Sequence, residues 1–236
     1  MPRHRGLLEV AHTCQNDDPW DDSSLYSFCC DGVQIGFVTP AVWEVLREQG
    51  PAQNWPLVLH TAQHAVTFTD ACCSVEQRTH AMNAIAEWMR DQRLFPDPLD
   101  GGITAGEGPL VTVVRECEEE AGLSPSLVRS HIQAAGVLTY FYKTESGWRQ
   151  PEMQYVYDLP LPADVTLAPS DGEAESFELL DRATIMERML QGTFKPNCTL
   201  VLMDFFIRHG WLTADNESDY TALASLLHTP LRIPVP

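Results

Sequence analysis

Residues 101–123 read GGITAGEGPLVTVVRECEEEAGL. Two glycines open this stretch, Gly106 and Gly108 follow, and a helix-forming run from Leu110 to Ala121 is stopped by Gly122. At about 100° per residue, Glu116, Glu119 and Glu120 fall within one arc of the helix surface, while Leu110, Val114, Cys117 and Ala121 share an adjacent face. One face can pack and the other presents three carboxylates. Like charges at i and i+4 cost only about 0.2–0.5 kcal/mol when solvated, so a plain acidic stripe is energetically allowed. The glycine-rich approach and the lone Arg115 favour a built site over that stripe. Hard divalent cations such as Mg²⁺ (or Mn²⁺) take carboxylate oxygens together with substrate phosphates, which suits a small-molecule diphosphate. No Gly-Lys-Ser/Thr and no G-x-G-x-x-G follows, so the glycines bend the loop into the helix and do not cradle phosphate themselves.

The composition supports the same direction. The chain has 236 residues, 44% apolar and 20% charged, which is ordinary for a globular protein of one or two domains. Its 33 acidic against 15 basic side chains give a net charge of −18, which excludes a nucleic-acid or anionic-membrane binder that relies on neutralising phosphates. A metal ion would supply the positive charge that the chain lacks. Four of the seven cysteines form the vicinal pairs Cys29-Cys30 and Cys72-Cys73, and none has C-x-x-C spacing, so reduced thiols in a cytoplasmic protein are expected. The apolar stretch near the start is too short for a signal peptide, and no run reaches transmembrane length.

Outward from the box, the break at Pro96–Gly102 (PDPLDGG) divides the chain into an α+β domain, residues 1–96, and an α/β domain, residues 97–236. In the first domain, Pro40–Gln49 reads as a helix stopped by Gly50-Pro51, residues 56–60 and 65–69 as strands, and Val75–Arg93 as a helix. In the second, residues 134–143, 153–159 and 174–180 read as strands. Helices are expected over 110–121, 181–191, 196–209 and 216–227, giving layers of helix on sheet.

The stretch that opens at Gly101 resembles the Nudix box: Gly, five residues, Glu, seven residues, then Arg-Glu-aliphatic-any-Glu-Glu-any-Gly-aliphatic. Gly101, Glu107, Arg115, Glu116, Glu119, Glu120 and Gly122 fill its strict positions, and Cys117 stands where a bulky aliphatic is usual. The resemblance implies a Nudix-type α/β/α sandwich with a mixed sheet. It also implies Glu116, Glu119 and Glu120 as metal ligands, one of them also the base, and Arg115 paired with Glu107. Further segments, GVLTYFY (136–142), PEMQYVYDLPLP (151–162), FKPNCTLVLMDFFIRHG (194–210) and, before the box, EQRTHAMNAIAEWMRDQRLF (76–95), are similar to Nudix proteins related to thiamine pyrophosphokinase. Those carry a domain of unassigned function ahead of the Nudix domain. The implied reaction is hydrolysis of thiamine diphosphate, above all in oxidised form, to the monophosphate and phosphate. Oxidised nucleoside diphosphates such as 8-oxo-dGDP are the alternative substrates, and a catalytically silent diphosphate-binding remnant is the alternative of another class.

One departure stands out. A Nudix domain has strands before its box, yet only Pro96–Asp100 separates the preceding helix from Gly101, too little for two strands and their turns. Either residues 56–70 supply substitutes or the sheet is short of its first strands; the second is expected, with exposed apolar surface and homo-oligomerisation as consequences. Among lesser candidates, Glu173 and Glu175 could add a metal ligand or base. His60 and His64, spaced i, i+4 without the Glu of HExxH, do not read as a zinc site. Tyr140, Tyr142, Tyr155 and Tyr157 alternate along strands, and Trp148 sits at a turn; ordinary packing is the default for all five.

Overall fold

Asp31-Gly32 begins the structure of the first unit: both residues take positive φ (51° and 79°), the geometry of a tight hairpin turn, between strands β1 (Tyr26–Cys30) and β2 (Val33–Val38). The computed structural model describes residues 6–94, 102–103, 106–144, 147–172 and 174–232. Within residues 17–94, β1 also pairs in parallel with β4 (Ala65–Phe68), which pairs antiparallel with β3 (Leu57–His60), giving a mixed sheet of order β2-β1-β4-β3. Among the described residues two α-helices belong to this unit and are numbered after α1 (Leu7–Ala11), which is described below with the second unit. They are α2 (Pro40–Gln53) and α3 (Val75–Asp91), which bury Trp43, Leu46, Ile85 and Met89 against Val38 and Val66. A Ser74–Gln77 capping box starts α3, and Arg78 on its first turn grips Asp31 with two 2.8 Å bonds, pinning the hairpin turn.

Helix α2 runs through Gly50-Pro51, where the sequence predicts a stop, and ends at Asn54 in the left-handed conformation. Trp55 follows at once and packs edge-on against Trp88 of α3 (5.2 Å), so burial of this indole sets where the chain turns.

The second unit comprises residues 6–16 together with the described part of 102–231. Its sheet is the antiparallel pair β5 (Gln133–Lys143) and β6 (Arg149–Asp158). Helix α4 (Pro109–Ala121) carries the box glutamates and is followed by α5 (Pro125–His131); α6 (Arg182–Gln191), α7 (Pro196–Arg208) and α8 (Tyr220–Leu226) complete the element order. The main core sets Leu138, Tyr140 and Val156 against Leu200, Met203 and Phe206 of α7, with Met189 and Leu223. A smaller core, Val114, Leu123 and Val128, backs α4.

The segment expected to open the first domain contributes here instead. Leu7, Val10, Ala11 and Cys14 are buried in the main core, so α1 packs with the later elements. The reason lies at the outer edge of β5. Gln15 and Asn16 side chains accept from the Phe141 (2.8 Å) and Lys143 (2.6 Å) amides, and Thr139 exchanges bonds with Leu227 and Thr229 (3.1 Å each). Side chains and a short parallel segment thus cover an edge that would otherwise template aggregation.

Strands β3 and β4 complete the four-stranded sheet of the first unit and do not extend β5–β6, so they are not substitutes for the strands before the box. Residues 174–180, expected as a strand, are irregular, and Leu179 is fully exposed. Among the described residues no helix is long and apolar enough to cross a membrane.

Where β6 ends, Asp158 meets Arg208 of α7 in a two-pronged contact (2.6 and 3.0 Å), and Arg208 also donates to Asp204 (2.7 Å). The Arg208 guanidinium holds the Asp158 carboxyl below its usual range against the opposing cost of burial. Arg208→Met should cost about 3 kcal/mol in urea unfolding at pH 7, because it leaves two carboxylates partly buried beside a methionine. A lowered pKa contributes stability above the unfolded value of about 4 and loses it as pH falls through the folded value, so the gap between wild type and variant should narrow below pH 4. A gap that stays constant from pH 7 to pH 3 contradicts this.

Candidate active site

Pro109 at the first position of α4 and Gly122 at its end frame the site helix. Gly122 is left-handed (φ 66°), its amide bonds to Glu118 O (3.1 Å), and the Leu123 amide bonds to Cys117 O (3.1 Å). A Cβ at residue 122 would come within 3.4 Å of the Ala168 carbonyl. That contact is ordinary, and the left-handed φ is what gives the position to glycine. Val114, Cys117 and Ala121 face the small core as expected, whereas Leu110 and Val111 near the helix start are exposed.

The guanidinium of Arg115 sits among the carboxylates: 2.7 Å from Glu119, 2.8 Å from Glu116 and 3.6 Å from Glu107. These contacts, led by the hydrogen bond to Glu119, raise its pKa. Glu107 is further held by the buried Thr112 hydroxyl (2.8 Å), which ties the glycine loop to the first turn of the helix. The pairing of Arg115 with Glu107 implied by the box is present. Gly101 and Glu173 lie outside the described residues. Glu175 is exposed on the irregular segment before α6, whose nearby Glu178 binds Arg188 (2.9 Å).

Glu116, Glu119 and Glu120 are not gathered into a ready ligand set. Among the described residues, no group of three or more His, Cys, Asp or Glu side chains could hold a metal ion. Arg115 instead engages two of the three. The donor chemistry nevertheless fits a hard cation, since every candidate is a carboxylate. Glu118, Glu119 and Glu120 crowd a helix C-terminus with no basic residue in its last turn, an end whose dipole disfavours anions by about 0.3–1 kcal/mol each. A divalent ion relieves both penalties.

Beside α4 lies a cleft of about 700 Å³ lined by Pro109, Thr112 and Val113 and by every residue from Pro151 to Tyr157. Consecutive strand residues point to opposite faces, so a cleft touching all of them follows the edge of β6 that faces away from β5. Glu116 and Glu120 continue the Pro109–Thr112–Val113 face of the helix by one and two further turns, at about 100° per residue. The wall is polar at one place. Tyr140, fully buried, donates to Glu152, and Gln154 Nε2 donates to the same carboxylate (3.3 Å). Burial and then the Glu152 contact push the Tyr140 phenol far above its usual range, so it remains a donor. Asn197, whose Oδ1 accepts from the Cys198 amide (2.9 Å), supports the phenol from α7. Cys14 nearby is a neutral thiol, pushed up to about 12 mainly by burial.

Glu152, Gln154 and Asn197 went unread in the sequence. The available signal was a Glu and a Gln at inward positions of a period-two pattern that continues into buried Val156. The tyrosines divide by register: Tyr140 and Tyr142 oppose Glu152 and Gln150, while Tyr155 and Tyr157 occupy the other face of the sheet and line the cleft. Trp148 receives the Thr144 amide at its carbonyl (2.8 Å) and does not line the cleft. His60 bonds Thr67 (2.9 Å) and His64 stacks on Tyr26 (4.8 Å), structural roles that leave no zinc pair.

A family model described as NUDIX domain matches residues 75–197, just over half of the chain, and one described as Domain of unknown function (DUF4743) matches residues 6–97. An uncharacterised protein of Saccharomyces cerevisiae is 40% identical over 144 residues, covering 57% of this chain and 42% of its own length. The chloroplastic Nudix hydrolases 20 and 24 of Arabidopsis thaliana are each 35% identical, over 128 and 127 residues, covering 52% of this chain and 34% of theirs. The chain therefore spans less than half the length of these relatives.

Thr112→Val keeps the helix face but removes the bond to Glu107. It is expected to cost about 1–2 kcal/mol and to speed amide exchange over residues 106–112 while β5 and α7 keep their protection. Unaltered exchange in that loop would show that the Thr112–Glu107 bond does not hold it.

Proposed function

The chain belongs to the Nudix family, and on that footing we propose that it is a divalent-metal-dependent hydrolase of a diphosphate linkage, acting on thiamine diphosphate and above all on its oxidised forms. The observation that carries this reading is the shared face of α4: the side that lines the cleft becomes, within two turns, the side that bears Glu116 and Glu120. A ligand whose ring lies along β6 would extend its diphosphate toward the carboxylates.

Glu116, Glu119 and Glu120 would hold Mg²⁺ or Mn²⁺, which when bound neutralises phosphate charge and acidifies water. Glu120 is assigned the proton from the attacking water, and Arg115 positions Glu107 and the loop by its pairing on this side of the helix. Water adds to a phosphorus, the bridging P–O bond breaks, and the monophosphate and phosphate leave. Among the described residues no lysine or arginine lines the cleft, so on this reading phosphate binding depends on the metal.

A second reading has its own observation. The sheet of this unit is two-stranded among the described residues, and Arg115 engages two of the three expected ligands, as in a diphosphate-binding remnant without turnover. Phosphate release from oxidised thiamine diphosphate, measured with and without Mg²⁺, separates the two. The hydrolase reading expects Mg²⁺-dependent release that Glu120→Gln lowers at least about 100-fold. Saturable Mg²⁺-assisted binding with no release supports the remnant, and full activity in Glu120→Gln removes that residue from the chemistry.

A further inference from the structure

Arg115 already holds what a metal ion would take. Its Nη1 binds Glu119 Oε2 at 2.7 Å and its Nη2 binds Glu116 Oε1 at 2.8 Å, so an oxygen of each of two expected ligands is committed to one guanidinium. A hard divalent ion seeks the same carboxylate oxygens. Guanidinium and ion therefore compete, and like charge keeps them from sharing the acceptors at close range. The contest takes place in contact with water. The Arg115 side chain is 39% exposed and that of Glu119 49%, a setting in which an ion pair is weak enough to exchange.

The geometry also supplies the place to which the guanidinium can go. The nitrogen that binds Glu116, Nη2, stands 3.6 Å from Glu107 Oε2. Closing that gap to about 2.8 Å makes a full charge-assisted bond. The acceptor is fixed in advance, because the buried Thr112 hydroxyl donates to the same Glu107 oxygen at 2.8 Å.

We propose that Arg115 is a counter-cation exchanged for the metal: when the carboxylates of Glu116 and Glu119 take a divalent ion, the guanidinium leaves them and closes on Glu107. Metal binding is thereby coupled to the loop that enters α4, which the chain Arg115–Glu107–Thr112 then ties more tightly to the helix. The inference rests on the metal site proposed above and adds what occupies its carboxylates before the ion arrives. A plain brace has the opposite signature. If Arg115 only held the glutamates in place for the ion, its loss would weaken metal binding.

Mn²⁺ binding to the full chain, followed by the free-ion electron paramagnetic resonance signal at fixed ionic strength, decides by sign. Arg115→Met removes the competitor, and the variant is expected to bind Mn²⁺ at least about threefold more tightly than wild type. Glu107→Gln removes the place to which the guanidinium moves. It should weaken Mn²⁺ binding about threefold in the wild-type background and less than about 1.5-fold in the Arg115→Met background, because the two residues act as one unit. In hydrogen exchange, saturating Mg²⁺ should slow the amides of residues 106–112 in wild type and leave them unchanged in Arg115→Met. A thermal melt confirms that each variant is folded, and Arg115→Gln replaces Arg115→Met if the latter is not. Equal or weaker Mn²⁺ binding in the folded Arg115 variant, an equal loss from Glu107→Gln in both backgrounds, or loop exchange indifferent to Mg²⁺ in wild type overturns the proposal. The metal reading fails separately. Mn²⁺ bound by neither wild type nor variant removes both, whereas Mn²⁺ bound equally by the two keeps the metal site and removes the exchange alone.

Discussion

Four glutamates stand in five positions at the end of one helix, and Arg115 is the cation that binds two of them together with the carboxylate of the preceding loop. Its guanidinium reaches Glu107, Glu116 and Glu119 within 3.6 Å. Through Glu107 and Thr112 the same contact fixes the loop that leads into α4. The buried side of the helix, Val114 with Cys117 and Ala121, can then stay on Leu123 and Val128. The glutamates also stand at the unfavourable end of a helix dipole, with no basic residue in the last turn. That unfavourable placement of carboxylates is the physical ground for the proposed metal site.

The rest of the unit is organised around β5 and α7. β5 is fully used, by β6 on one side and by Gln15, Asn16 and the 227–229 segment on the other. β6 is used on one side, and its other edge runs along the cleft. Arg208 anchors the far end of β6 to α7, so the strand that walls the cleft is held by its core face and by its terminus.

Much of this was legible in residue order. The acidic helix, its glycine stop, the run Pro196–Arg208 and the strands around residues 134–159 follow from periodicity and from Pro and Gly placement. The β1–β2 hairpin escaped because the Asp31-Gly32 signal lies between strands with little alternation, YSFCC and VQIGFV. Helix α2 outran its Gly50-Pro51 stop because tertiary packing of Trp55 outweighed a local preference. Residues 174–180 (AESFELL) lack the β-branched residues that favour a strand and gain no ladder partner among the described residues. The membership of α1 in the later unit could not be read, since no local rule links Leu7 or Val10 to Leu138 across more than a hundred residues. The Glu152–Gln154 pair was hidden for the same reason: its meaning depends on Tyr140 across the sheet and Asn197 on another helix.

The claim on which the account turns is that the acidic turn of α4 holds a divalent cation. Mn²⁺ binding followed by the electron paramagnetic resonance signal of the free ion tests it without reference to any substrate. Titrating the chain into Mn²⁺ should remove the free-ion signal saturably, and the folded Glu116→Gln/Glu120→Gln double variant should leave most of that signal in place. A free-ion signal untouched by the wild-type chain, or removed equally well by the double variant, would contradict the account.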